Sequence, residues 1–271
     1  MQEFKQLISG NYYHIYNRGI NSCNLFNKVS DYEHFLALFE TYISPVADTF
    51  AWVLMPNHFH FLVRITENVV YKYSNADKFI DAVRFEEHKW ETIELADLSA
   101  CEAPDSVKAS EAPDSVKASE APDNVKASEA PDSVKASEAP DSVKANANLE
   151  NIKIPKPHLH FSHLFNAFST YINKRNNRHG SLFERPFKRK VIDNETYLKN
   201  LVVYIHNNPV HHGFCEHPLE YPWSSYLSCF SESPTMILRE KVISWFGDEE
   251  KFRLAHKSAS GTKWMEDWLE I

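Results

Sequence analysis

Glycine is scarce in this 271-residue chain, with six, and cysteine scarcer, with four. So little glycine excludes a collagen-like repeat, and 18 Phe, 12 Tyr and 43% hydrophobic residues exclude a wholly disordered chain. The four cysteines (Cys23, Cys101, Cys215, Cys229) form no C-x-x-C pair, which argues against both a disulfide framework and a structural zinc site. They are expected to be reduced thiols. No apolar run approaches the ~20 residues a membrane helix needs, and Phe50–Met55 is among the longest. The first ten residues, MQEFKQLISG, lack a positive segment followed by an apolar stretch. No signal peptide and no membrane partner are therefore expected, and the expected location is the cytoplasm. A G-x-x-x-x-G-K-[ST] loop is also missing, so no nucleotide cofactor is expected.

What is present in excess is acid, with a formal net charge of −8. Much of it is concentrated in residues 102–146, five near-copies of the nine-residue unit EAPDSVKAS, in which Asn124 and Asn146 are the departures. Each copy carries one Glu, one Asp and one Lys, a net −1, so the other 226 residues share only −3. One Val and two Ala per unit, with a Pro in every copy, cannot bury a solenoid face. The array reads as a disordered, mildly acidic insert. Lengthening a loop from ~10 to ~55 residues costs only about 1.5 kcal/mol of closure entropy. The flanks can therefore form one domain: 1–98 its first part, 99–150 the insert, 151–230 its second part, and 231–271 a helical C-terminal appendage.

Within the flanks, 11–17 (NYYHIYN) reads as a strand ending in a turn at Arg18-Gly19. Phe35, Leu38, Phe39, Tyr42 and Ile43 have helical spacing over 31–44, with Ser30 as N-cap and Pro45 beyond the end. Residues 50–55 and 58–65 read as a hairpin about Pro56-Asn57, and 78–98 as a charged helix. A helix is expected over 163–174, a strand or ribbon interrupted by Pro186 over 182–192, and a helix capped by Asn194 and ended near Asn208 by Pro209 and Gly213. This order predicts an α+β fold with helices on one face of an antiparallel sheet.

On a strand, His58 and His60 point the same way, and two imidazoles on adjacent rungs can bind one divalent cation. An H-x-H alone is more often an ordinary half-exposed strand. Tyr204 and Asn208, four apart, share a helix face. They could supply a nucleophile and an amide oxygen ligand, or a core aromatic and a helix-end residue before Pro209. Seven basic residues stand between 174 and 190 (Lys174, Arg175, Arg178, Arg185, Lys188, Arg189, Lys190) against Glu184 alone. Such a cluster can track a polyanion whatever the net charge. Arg18 is a weaker contact candidate. Phe183 and Phe187 read as core residues before base-stacking ones. His14, His158, His160 and His163, like His206, His211 and His212, read as ordinary surface or loop histidines.

Taken together, MPNHFHFLV (55–63) and YIHNNPVHHGF (204–214) closely resemble the single-tyrosine HUH transposases of the IS200-like group, including the REP-associated tyrosine transposases. YYHIYNRG (12–19), RHGSLFERPFK (178–188) and YPWSSY (221–226) extend the resemblance over roughly 10–66 and 158–230. It implies a ferredoxin-like sheet domain that cuts and rejoins single-stranded or hairpin DNA through a 5′-phosphotyrosine. By position, Tyr204 would be the nucleophile, with Tyr171 the competing choice. His58, His60 and Asn208 would bind Mg²⁺ or Mn²⁺. The alternative is a DNA-binding protein that no longer cuts. A homodimer is left open.

Overall fold

The computed structural model describes residues 6–67, 71–72 and 152–257. The expected helix over 78–98, the repeat insert, and the end of the chain after 257 lie outside the described residues. By contacts, the described residues belong to one unit.

Strand β1 (Tyr12–Arg18), helix α1 (Val29–Ile43), strands β2 (Ala47–Met55) and β3 (His58–Ile65), helix α2 (Pro157–Arg175), strand β6 (Lys188–Ile192) and helix α3 (Glu195–His211) follow in chain order. Strands β4 (Tyr71–Lys72) and β5 (Ile152–Lys153) form a separate two-residue ladder. Helices α4 (Arg239–Phe246) and α5 (Glu249–Lys257) are the last α-helices among the described residues, and three 3-10 turns lie at Ile20–Ser22, Pro218–Glu220 and Leu227–Cys229. The main sheet has the order β2-β3-β1-β6, every pair antiparallel.

Alternation on β3 explains how the sheet is covered. Phe59 and Phe61 project to one face, His58 and His60 to the other. On the Phe face, Phe35 and Phe39 of α1 meet Phe59 and Phe61, the Phe39–Phe61 pair stacked with ring centroids 4.1 Å apart. Phe165 and Phe168 of α2 close the same cluster against Phe59 and Phe35. On the opposite face, Tyr204 of α3 packs edge-on against His60. Helices thus cover both faces, where one was expected. The reason is α3 itself: Leu201 to Pro209 are all buried, polar His206, Asn207 and Asn208 included, and a helix buried all round lies between two layers. Its second layer is α5, whose Phe252 and His256 pack against His206. Trp245 of α4 lies on Tyr12 and Phe50. Val242, Phe252 and His256 are buried and anchor these two helices to the core, while the rest of residues 239–257 stays exposed or half-buried.

Local chemistry adjusts several boundaries. Lys28, not Ser30, is the N-cap of α1, and Asp31 at the third helical position reaches back to it, its Oδ2 accepting the Asn27 and Lys28 N–H groups, both at 2.9 Å. Helix α2 begins at Pro157, six residues before the expected start; proline suits a first helical position. Asn194 does cap α3, accepting the Thr196 N–H at 2.8 Å. Pro209 does not end that helix. It sits inside the last turn, which closes through His212 N–H to the Asn208 carbonyl and Phe214 N–H to the Pro209 carbonyl. Gly213, at φ +72°, supplies the left-handed residue beyond. Of 182–192 only the last five residues form a strand; Phe183 makes a single bridge to Gly19. The segment Trp223–Ser225 lies along the β2 edge, with Leu54 N–H to the Trp223 carbonyl and Ser225 N–H to the Trp52 carbonyl, and so occupies bonding groups an open edge would expose.

Candidate functional site

Sheet register decides which side chains share the His face. Tyr16 pairs with His60 and Arg18 with His58, while Lys188 and Lys190 of β6 pair with Tyr16 and His14. Cross-strand partners point the same way, so these residues lie on one surface beneath α3. Gly19 holds the strand end against the β2–β3 turn, donating its N–H to the Asn57 carbonyl at 2.8 Å. A Cβ there would come 2.0 Å from the Cys23 carbonyl oxygen, so only glycine fits.

A cleft of about 660 Å³ opens at this end of the sheet, lined by His58, His60, Tyr204, Tyr16, Arg18 and Lys188 among others. His58 Nε2 stands 3.0 Å from Asn208 Oδ1, and its Nδ1 stands 2.7 Å from Asn57 Oδ1. The His58 and His60 rings are 5.2 Å apart and nearly perpendicular. Tyr204, one turn before Asn208, lies 5.5 Å from the His60 ring and is 1% exposed. Arg18 pairs with Glu184 at 2.6 Å on the rim, and the Lys188 ammonium lies 5.7 Å above the Tyr16 ring.

Burial governs the protonation of the imidazoles. It pushes His58 down to about 4, with the Asn208 hydrogen bond opposing and His212 and Arg18 adding to the fall. Burial also holds His60 well below the ordinary range, assisted by His14 and His58. His14 is pushed down to about 3 by burial and by Lys190. Both cleft histidines are therefore neutral at pH 7, each with one N–H and one lone pair.

Neutral His58 cannot donate to two amide oxygens. If Nδ1–H serves Asn57, the Nε2 lone pair faces Asn208 Oδ1, acceptor against acceptor. Turning either the Asn57 or the Asn208 amide around resolves the conflict, as would a cation that took the lone pairs instead. His60 Nε2 and Asn208 Nδ2 are buried without a partner. The donor set of two imidazoles and one amide thus fits a small divalent cation. No group of three His, Cys, Asp or Glu arranged for a metal occurs among the described residues.

No family model and no curated protein sequence matches this chain. Among solved structures it is similar to one described as "Structure of the REP associates tyrosine transposase bound to a REP hairpin", with 13% identity over 86% of this chain and 89% of that one, at a TM-score of 0.46.

The remaining residues singled out in the sequence divide in space. Tyr171 belongs to α2 on the Phe face; its hydroxyl accepts from Arg175 and its ring lies 4.0 Å from His34, away from the histidine pair. Arg175 donates to Asp31 Oδ1 at 2.6 Å and to Ser30 Oγ at 2.9 Å, an arrangement that ties α2 to α1. Lys174 shares that last turn and Arg178 lies just beyond it, bonded to the Ser181 carbonyl. Arg185 and Arg189 line a second depression with Phe165, Phe183 and Phe187, the Arg189 guanidinium 4.9 Å above the Phe187 ring. Phe183 is core. Of the basic set, Arg18 and Lys188 line the cleft.

Several histidines read as ordinary surface groups are buried. His160 Nδ1 donates to the Tyr42 carbonyl at 2.8 Å. His206 bridges His256 at 3.0 Å and Ser225 at 2.8 Å. His14 contacts His60. His212 is exposed as expected, its ring 5.1 Å from that of His58. The alternation His14, Tyr16, Arg18 was a readable signal for one shared face, but the strand it would meet was not.

Proposed function

We propose that the chain cuts and rejoins single-stranded DNA through Tyr204, as a metal-dependent transposase of the single-tyrosine, IS200-like type acting at DNA hairpins. The observation that carries this reading is convergence. His58 and His60 from β3 and Tyr204 from α3, some 150 positions apart in sequence, line one cleft with Arg18 and Lys188 on its wall, and Asn208, buried behind them, reaches His58. The β-α-β-β-α-β connectivity with the order β2-β3-β1-β6 is a ferredoxin-like arrangement. It supports the same reading.

His58, His60 and Asn208 would hold Mg²⁺ or Mn²⁺, which when bound polarises the scissile phosphate and offsets the charge that develops there. Arg18 and Lys188 neutralise flanking phosphates. Tyr204 Oη attacks phosphorus as the P–O3′ bond breaks; the phenol gives up its proton and the departing 3′ oxygen gains one. One phosphodiester replaces another, so a 3′-hydroxyl can reverse the step with no nucleotide consumed. Tyr171, hydrogen-bonded to Arg175 on the other face, has no part in this.

The near-complete burial of Tyr204 favours a second reading, a hairpin-binding protein that does not cut. One experiment separates the two. Labelled single-stranded hairpins are incubated with the protein and Mn²⁺, comparing wild type with Tyr204→Phe. A denaturation-resistant adduct in wild type alone supports the transposase, and binding without any adduct supports the binder.

A further inference from the structure

His14 is fully buried in the middle of β1 and lies outside the lining of the cleft. Its Nε2 is 2.9 Å from Nδ1 of His60, and the two rings stack 5.0 Å apart, 15° from parallel. Tyr16 stacks on His14 at 4.6 Å and on His60 at 5.8 Å, so three rings pack together on this face. One proton is shared across the His14–His60 contact. If His14 donates it, His60 carries its own proton on Nε2 and presents an N–H to the cleft. If His60 donates from Nδ1, its Nε2 lone pair faces the cleft, where that atom has no protein partner, and His14 carries its own proton on Nδ1, which is likewise buried without a partner.

We propose that His14 is a positioning residue that accepts the Nδ1–H of His60 and thereby holds the His60 Nε2 lone pair open to the cleft as a cation donor. The proposal rests on the reading of His58, His60 and Asn208 as a cation site, and adds the group that sets the tautomer and ring angle of one ligand. A ligating histidine whose other nitrogen is left unbound can rotate or present the wrong nitrogen. Removing such outer partners typically weakens metal affinity 10–100-fold.

The first test needs no substitution. In metal-free wild type labelled with ¹⁵N, two-bond ¹H–¹⁵N correlations should show His60 protonated on Nδ1 and bare on Nε2. The opposite tautomer overturns the proposal. The second is Mn²⁺ affinity measured from the free-ion electron paramagnetic resonance signal, with thermal melts run in parallel. His14→Gln, whose side-chain oxygen can accept the same proton, should bind within about threefold of wild type. His14→Phe should bind roughly 10–100-fold more weakly. Equal binding by His14→Phe overturns the positioning role and leaves the cation site standing. No Mn²⁺ binding by wild type overturns the site and the proposal together. If His14→Phe does not fold, the wild-type tautomer decides the matter.

Discussion

Replacing Arg175 by alanine should loosen the fold and leave DNA affinity nearly untouched, although Arg175 stands in the most basic stretch of the sequence. Its guanidinium donates at 2.6 Å to Asp31, whose side chain is 3% exposed and whose other oxygen accepts the Asn27 and Lys28 N–H groups before α1. A hydrogen bond between charged groups is worth about 1.5–3 kcal/mol. Two features hold the loss to the middle of that range. Asp31 keeps its two backbone donors, and the Arg175 side chain is 29% exposed, so water can replace part of what is removed. A loss of about 2 kcal/mol is expected, which lowers the melting temperature by about 4–8 °C in a chain of this size. Lys188→Ala is the counterpart. Lys188 is exposed on the cleft wall and should leave the melt unchanged, while the salt dependence of single-strand binding loses about 0.7 in its slope, the value of one phosphate contact. Urea melts and fluorescence-anisotropy titrations at several salt concentrations measure both. The reasoning is refuted if Arg175→Ala melts like wild type and weakens binding as much as Lys188→Ala does.

Three further outcomes follow from the same geometry. His206 and His256, like His160, are held below their ordinary range chiefly by burial, His160 and His256 at about 4. The unfolded chain takes up protons at about 6.5 that the folded chain refuses, so stability is full above that pH and falls as the solution is acidified toward 4; urea midpoints that stay level from pH 7 to pH 4.5 would contradict this. Gly19→Ala must displace the Cys23 backbone and should cost about 1–3 kcal/mol together with adduct formation, read by melting and by gel. Deleting 102–146 should leave both the melt and DNA cleavage as in wild type, and loss of either would show that the repeats are needed.

Local periodicity carried the strands and helices further than it carried their assembly. His58–Ile65 is a strand over the expected residues because its alternation is unambiguous, and the hairpin follows from Pro56-Asn57. The two-sided cover was illegible because the His face of β3 looks polar in sequence, and His206, Asn207 and Asn208 break the apolar run Leu201–Ile205 that would have pointed to a layer above it. Within the site, the spacings 58/60 and 204/208 place each pair on one face, but nothing local joins His58 to Asn208 across 150 residues. That link came from resemblance. The basic run reads as one cluster only while the chain is linear; the break after α2 and the alternation of β6 send its members to different surfaces. His14 reads as an ordinary histidine in sequence because its significance lies in a register between two strands that no spacing in β1 reveals.

The central claim is that Tyr204 attacks DNA, and the most direct measurement is to locate the covalent bond. Wild-type protein would be reacted with a single-stranded hairpin substrate and Mn²⁺, digested, and mapped by mass spectrometry for a peptide carrying a 5′-phosphodeoxynucleotide. The account predicts that mass on the peptide containing Tyr204 and its absence in Tyr204→Phe. A nucleotide on the Tyr171 peptide, or an adduct that persists in Tyr204→Phe, would contradict it.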